Sequence, residues 1–373
     1  MLFPSLSLVD GMDSLIRGYY KKKHERQKID VTENYDFMVL IPANNAVNTL
    51  ERALSSLGTC KDRVLVVDDR SNDETAEIAR RNGVRVIINP TNGKKVGAIA
   101  KGLESIDATY VVLMDADTCI EHGKLGNLTG RMQRENVDAC AVRVMPSTGN
   151  GLLEKLQHIE YAKAMSIGRC SMDGDKPFVP CVSGAFGVFR IDMLKKVTEQ
   201  QIKNGIHWEG EDFERTLRFI EKGARISYYN EFAVMTDVPV TLKDYTKQRI
   251  KWQHGYLRCH WDFKKMLMRR DKLGITFAFN YVFNLIGHPL KLLSIPMLIV
   301  ASTIHIELFP LFYGIYCLIE ALIAKASLSK SEWRKLRKYI PLMPLYGLYH
   351  LIVPTTIGYS RFLVAKLINV DER

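Results

Sequence analysis

The sequence predicts an α/β domain built on a mostly parallel sheet with helices on both faces, followed by C-terminal transmembrane helices. Three observations carry this reading. Short β-rich apolar runs alternate with segments of helical spacing from residue 37 onward. Two of those runs end in acids, Asp68-Asp69 and Asp115-Ala-Asp117. From Gly274 the text turns into long apolar runs such as ITFAFNYVFNLIGHPLKLLSIPMLIVASTI and LFPLFYGIYCLIEALIA, each long enough to cross a hydrocarbon layer of about 30 Å. Nothing before residue 240 compares with them.

In order, FMVLIPA reads as a strand, NTLERALSSL as a helix, RVLVVDD as a buried strand and DETAEIARRNG as a helix ending on Gly83. VRVIINP is the next strand, KKVGAIAKGLESI the next helix and TYVVLMDAD the strand after it. Such alternation favours parallel neighbours joined by helical crossovers, and ligands bind such sheets at the carboxyl ends of the strands. That is where the acids fall. No GxGxxG follows the first strand, which argues against dinucleotide binding.

Further on, GLLEKLQHIEYAKAMSIGRC reads as a helix, VPCVSGAFGVFR as a Gly-punctuated strand or hairpin and GEDFERTLRFIEKG as a helix stopped by Gly223. ARISYYNEFAVMTDVPV is strand-like, and TLKDYTKQRIKWQHGYLRCHWDFKKML is a long amphipathic stretch. The chain therefore divides into a basic N-terminal segment suited to a membrane surface (1–33), an α/β domain (34–240), an amphipathic interface region (241–273) and a transmembrane region (274–373). The last of about three spans is broken by Pro344 and Pro354.

The net charge of +11 is concentrated in two clusters. One is Arg17, Lys21, Lys22, Lys23, Arg26 and Lys28; the other is Lys264, Lys265, Arg269, Arg270 and Lys272. Beside apolar spans such charge marks the cytoplasmic side and attracts anionic lipid. Membrane lipids are therefore expected partners, and nucleic acid is not. The basic stretch 325–339 should face the cytoplasm, with 278–304 running outward and 307–324 inward. The expected location is the plasma (inner) membrane, with the α/β domain on its cytoplasmic side. Seven cysteines without a CxxC pair indicate neither a zinc site nor a disulfide framework. HExxH, GxSxG and GxxxxGK[ST] are all absent.

Asp115 and Asp117, one residue apart where a strand should stop, can both reach a divalent metal. Asp69 ends an earlier strand of the same sheet. At this point the chain resembles the family 2 inverting glycosyltransferases, the group that includes cellulose, chitin and hyaluronan synthases, and within it the membrane-embedded polysaccharide synthases. The matching text is IPANN, VLVVDDRSNDET, NGKKVGAIAKGL, VLMDADT, VSGAFGVFR, EGED and QRIKW, in the family's order.

The resemblance implies an A-type glycosyltransferase fold whose sheet binds a nucleotide sugar, a UDP-sugar donor, and Mg²⁺ or Mn²⁺ held by Asp117 with Asp115. It implies that Asp69 contacts the nucleobase or ribose, and that Lys95 and Asp115 contact the nucleotide. Glu211 joins the substrate contacts and Asp212 is the general base. Single displacement agrees with the last role, because it needs a carboxylate on the acceptor side, separate from the metal-bound acids. Ser183 and Gly184 border the acceptor, since Gly lets backbone come close to a sugar. In QRIKW, Gln248 opens the motif, Lys251 stands where the family usually has Arg, and Trp252 offers a ring face to the acceptor. Lys keeps the charge but not the bidentate fork, so Arg249 is expected as a second cation toward the diphosphate. Asn44-Asn45 is a further departure, since the family often has Asn-Glu there. The implied reaction extends a β-linked polysaccharide. Transfer of one sugar to a membrane lipid (polyprenyl phosphate, ceramide or diacylglycerol) is the alternative, and a non-catalytic nucleotide-sugar-binding membrane protein the third.

Overall fold

The computed structural model describes residues 36–147, 149–165, 181–206, 210–269, 278 and 309–367. They fall into two compact units, one drawn from Gln27–Ser147 and Met172–Asp237, the other from Thr148–Ser171 and Val238–Glu372. The N-terminal segment 1–33 and nearly all of the expected span 278–304 lie outside the described residues.

The first unit opens with β1 (Phe37–Ala43), α1 (Leu50–Ser56), β2 (Val64–Asp68), α2 (Thr75–Arg81), β3 (Arg85–Ile88), α3 (Lys94–Leu103) and β4 (Tyr110–Met114). β1 pairs in parallel with β2 and β4, and β2 with β3. Every residue of β2 and of β4 is buried, as expected of inner parallel strands covered on both faces. The chain steps outward from β1 to β3 and then returns past β1 to β4. Right-handed crossovers consequently place α1 and α2 on one face and α3 on the other. Gly102 lets α3 lie close: a Cβ there would come 2.3 Å from Leu40 Cδ1 and 3.0 Å from Val67 Cγ2.

The unit continues with β5 (Cys119–His122), α4 (Leu125–Arg134) and β6 (Ala139–Pro146). α5 (Leu152–Lys163) belongs to the second unit, after which the chain returns with β7 (Phe186–Arg190), α6 (Ile191–Lys203), α7 (Glu211–Glu221) and β8 (Ile226–Thr236). The completed sheet has the order β3-β2-β1-β4-β7-β6-β8-β5. It is mixed rather than mostly parallel. β7 runs antiparallel to both β4 and β6, and β5 runs antiparallel to β8. The reason lies in the connections. β7 follows a segment assigned to the second unit and not a crossover helix of its own unit, so the rule that makes successive strands parallel does not apply to it.

The second unit adds α8 (Leu242–Asp262), α9 (Phe309–Ser327), α10 (Lys330–Leu336), α11 (Met343–His350) and α12 (Thr356–Leu367). Thr241 caps α8 by accepting from Asp244 N at 3.1 Å, and Ser329 with Glu332 forms a capping box on α10. A π-helical turn at Leu351–Thr355 carries Pro354 and joins α11 to α12 without ending the helix. Among the described residues one helical stretch, Lys330–Leu367, is long and apolar enough to cross a membrane. The expected span 307–324 coincides with α9, where Leu311, Ile315, Leu318 and Leu322 form an exposed apolar stripe.

Candidate active site

The strand order reverses between β1 and β4, and the acids gather at the carboxyl ends around that reversal, the position where open α/β sheets bind ligands. Asp69 follows β2, its N–H donating to Ala43 O at 2.8 Å. It is only 4% exposed, and its Oδ1 accepts from Asn89 Nδ2 at 2.7 Å and from Gly93 N at 3.0 Å. It thereby fastens the end of β3 to the entrance of α3. Asn44 Nδ2 donates to Asp69 O at 2.8 Å, and Asn45 Oδ1 accepts from Asn72 N at 2.9 Å. Asn45 adopts φ 52°, a left-handed conformation that Asn tolerates better than most residues. The Asn44-Asn45 pair thus laces the β1 and β2 loops together.

Held in this way, α3 projects Lys95 into a cluster of carboxylates. Lys95 Nζ lies 2.5 Å from Asp115 Oδ1 and 3.6 Å from Glu211 Oε1, and it donates to Gly184 O at 3.0 Å. Gly184 N in turn donates to Asp212 Oδ2 at 2.8 Å, while Asp115 N donates to Ala185 O at 3.0 Å. Ser183 shapes this turn, its Oγ accepting from Ala185 N at 3.3 Å. Gly184 sits in a tight approach: a Cβ would stand 3.0 Å from Lys95 Nζ and 3.3 Å from Asp212 Oδ2. Burial opposes the Lys95 ammonium, but the charge of Asp115, followed by Glu211, outweighs it and raises its pKa. Burial pushes the Asp115 carboxyl up to about 6, against the pull of Lys95 and with the push of Asp117.

Asp117 stands one residue beyond Ala116, and burial raises its carboxyl against the hydrogen bond from Thr236. Its Oδ1 accepts from Thr236 Oγ1 at 3.2 Å and Thr118 Oγ1 at 3.3 Å. Beside it Arg52 pairs with Asp237 at 2.8 Å. Among the described residues no group of three or more His, Cys, Asp or Glu forms a metal cage. The Asp115 and Asp117 carboxylates nevertheless suit Mg²⁺ or Mn²⁺, which bind through one or two carboxylates and take their remaining oxygens from substrate phosphates and water.

The α/β unit therefore brings together Lys95, Asp115, Ser183, Gly184, Glu211 and Asp212, with Asp117 and Asp69 on the same rim of strand ends. Gln248, Arg249, Lys251 and Trp252 lie on α8, in the helical unit. Lys251 is exposed and Trp252 half-buried. Arg249, expected as a second cation toward the diphosphate, is instead buried and paired with Glu160 at 2.9 Å. Its charge is spent inside the helical unit. Sequence reasoning missed Asn89, Thr236, Arg52 and Asp237. They act through contacts between distant segments, and no local spacing announces them.

Residues 38–198 match the model described as Glycosyl transferase family 2. Over that span the chain is similar to the family 2 glycosyl transferases. The matched span includes Asp69, Lys95, Asp115, Asp117, Ser183 and Gly184, and stops before Glu211 and Asp212. The chain is 28% identical over 348 residues to the uncharacterized glycosyltransferase YaiP of Escherichia coli, covering 88% of this chain and 81% of that one. It is 25% identical over 256 residues to a poly-β-1,6-N-acetyl-D-glucosamine synthase of Staphylococcus aureus (strain MSSA476), covering 62% of this chain and 57% of that protein. A similar solved structure is the mannosyltransferase PcManGT from Pyrobaculum calidifontis in complex with GDP-Man and Mn²⁺. Its TM-score is 0.53 at 16% identity, over 91% of this chain and 95% of that one, a likeness of fold.

Proposed function

We propose that this glycosyltransferase moves a hexosyl group from a UDP-sugar to a hydroxyl of a growing β-linked polysaccharide, with inversion. The observation that carries the reading is the placement of Asp212. Its Oδ2 is fixed by Gly184 N at 2.8 Å, while Gly184 O accepts from the same Lys95 that pairs with Asp115. A base carboxylate thus stands beside the donor-side acids and apart from them, as one in-line displacement requires. Asp212 takes the proton of the acceptor hydroxyl as its oxygen attacks the anomeric carbon. Lys95 presents positive charge to the departing diphosphate, and Asp69 holds the loop that faces the nucleoside. Asp115 and Asp117 would hold Mg²⁺ or Mn²⁺, which supplies charge neutralisation for the leaving group. In this reading Lys251 is a cation for the diphosphate and Trp252 a stacking face for the acceptor sugar.

The relative named as a poly-β-1,6-N-acetyl-D-glucosamine synthase supports a polymeric acceptor and makes UDP-N-acetylglucosamine the first donor to try. The exposed apolar stripe of α9 and the Lys330–Leu367 stretch support a membrane protein, and the basic clusters of the sequence favour the cytoplasmic side for its α/β unit. The test is to incubate membranes holding the protein with Mg²⁺ or Mn²⁺ and labelled UDP-sugars, then size the product. High-mass, glycosidase-sensitive material is expected. A labelled product that partitions into organic solvent would replace the polymer with a lipid acceptor, and an absence of turnover with every UDP-sugar would overturn the donor class.

A further inference from the structure

The helical unit holds a buried charged network that the transfer step does not use. Glu160 on α5 is 6% exposed and Arg249 on α8 is 4% exposed. Glu160 Oε2 accepts from Arg249 Nη2 at 2.9 Å and also from the Tyr346 hydroxyl of α11, so one carboxylate ties three helices. The Arg249 guanidinium lies 4.4 Å from the centre of the Trp252 ring and 4.9 Å from that of Tyr245. The Tyr245 hydroxyl in turn meets His350 Nδ1 at 2.8 Å.

Burying an ion pair costs free energy, and apolar side chains of similar volume often pack at least as well. Here Arg249 Nε also has no hydrogen-bond partner. The network is therefore an expensive way to hold helices together, and its geometry offers another purpose. A guanidinium is planar, and stacked on an indole it fixes the plane of the ring beneath it. With Arg249 on one face of Trp252, a stacked sugar is confined to the opposite face.

We infer that Glu160 is a positioning residue: it orients Arg249, whose stacked guanidinium sets the Trp252 ring as the platform for the acceptor sugar. The inference rests on the reading of Trp252 as an acceptor contact given above.

The test is steady-state kinetics of the full chain with UDP-N-acetylglucosamine as donor and a β-1,6-linked N-acetylglucosamine oligosaccharide as acceptor probe. E160Q is expected to raise the acceptor KM about tenfold, the effect of losing one desolvated stacking contact, with the donor KM unchanged. E160D, which keeps the charge, should recover much of that loss. In a W208F/W261F/W333F background, E160Q should also shift the emission of Trp252. E160Q/R249M removes both charges and is expected to regain thermal stability relative to E160Q while keeping the raised acceptor KM, because the stacked guanidinium is gone. W252A separates the two levels of the argument. If W252A weakens acceptor use while E160Q and the double variant keep the wild-type acceptor KM, the positioning role of Glu160 is overturned and the Trp252 reading stands. If W252A itself leaves the acceptor KM unchanged, the Trp252 reading falls, and the inference with it.

Discussion

Asp212 is fixed through both carboxylate oxygens: Oδ2 accepts from Gly184 N and Oδ1 from Phe213 N, each at 2.8 Å. Replacing it with the isosteric amide removes the proton acceptor and, because the NH2 cannot accept, one of these two hydrogen bonds. D212N is expected to lower kcat by a factor of about 10² to 10⁴ with donor affinity retained, measured as UDP release alongside equilibrium UDP binding. Release at the wild-type rate would remove Asp212 from the base role. Gly184 tests the other side of the same contact. The methyl of G184A would press on Lys95 Nζ and Asp212 Oδ2, two groups already held by charge and hydrogen bonds. Transfer should therefore be lost with little change in Tm, and an active G184A would show that the turn relaxes freely. Asp69, Asp115 and Asp117 were legible in the sequence because they follow apolar runs, and Asp212 because the matching text EGED carries it. The contact that joins them through Gly184 was not, because it forms between segments far apart in the chain.

At the level of elements, α3 carries Lys95 and owes its position to the close approach at Gly102. G102A places a methyl against Leu40 and Val67 in a packed core and should destabilise the unit by about 1 to 3 kcal/mol, read by thermal or urea denaturation. A neutral effect would mean that α3 can shift on the sheet. α4 is joined to β8 by Glu135, which accepts from Arg131 Nε at 2.8 Å and Tyr229 Oη at 2.7 Å. Burial pushes this carboxyl up, but those hydrogen bonds prevail and hold it below its ordinary 4.5. A depressed carboxyl contributes stability that is complete above its unfolded pKa and is lost as pH falls through the lower folded value. E135Q should accordingly show a shallower fall in Tm between about pH 6 and about pH 3 than the wild type. Equal slopes would place the acid sensitivity elsewhere. The four parallel strands and α3 could be read from periodicity. β5, α4 and β6 could not, because short runs such as CIEH carry too little pattern to mark a strand.

For the molecule as a whole, the decisive question is the solvent of the helical unit. Leu311, Ile315, Leu318 and Leu322 on α9 and Leu345, Ile352, Leu363 and Val364 beyond it are all exposed large apolar residues. Surface of this extent calls for lipid or another apolar partner. Membranes holding the chain, washed with alkaline carbonate, are expected to retain it in the pellet. Full release into the supernatant would leave the unit as a surface-bound helical domain.

The sequence by itself determined the α/β class, the acids at the strand ends and the resemblance to family 2 glycosyl transferases, because apolar periodicity and motif order are local properties of the chain. Tertiary structure alone decided the mixed direction of the sheet, the lacing of Asn44 and Asn45, and the withdrawal of Arg249 into a pair with Glu160. These depend on which distant segments meet. Arg249 is both buried and paired, and α5 supplies its carboxylate 2.9 Å away.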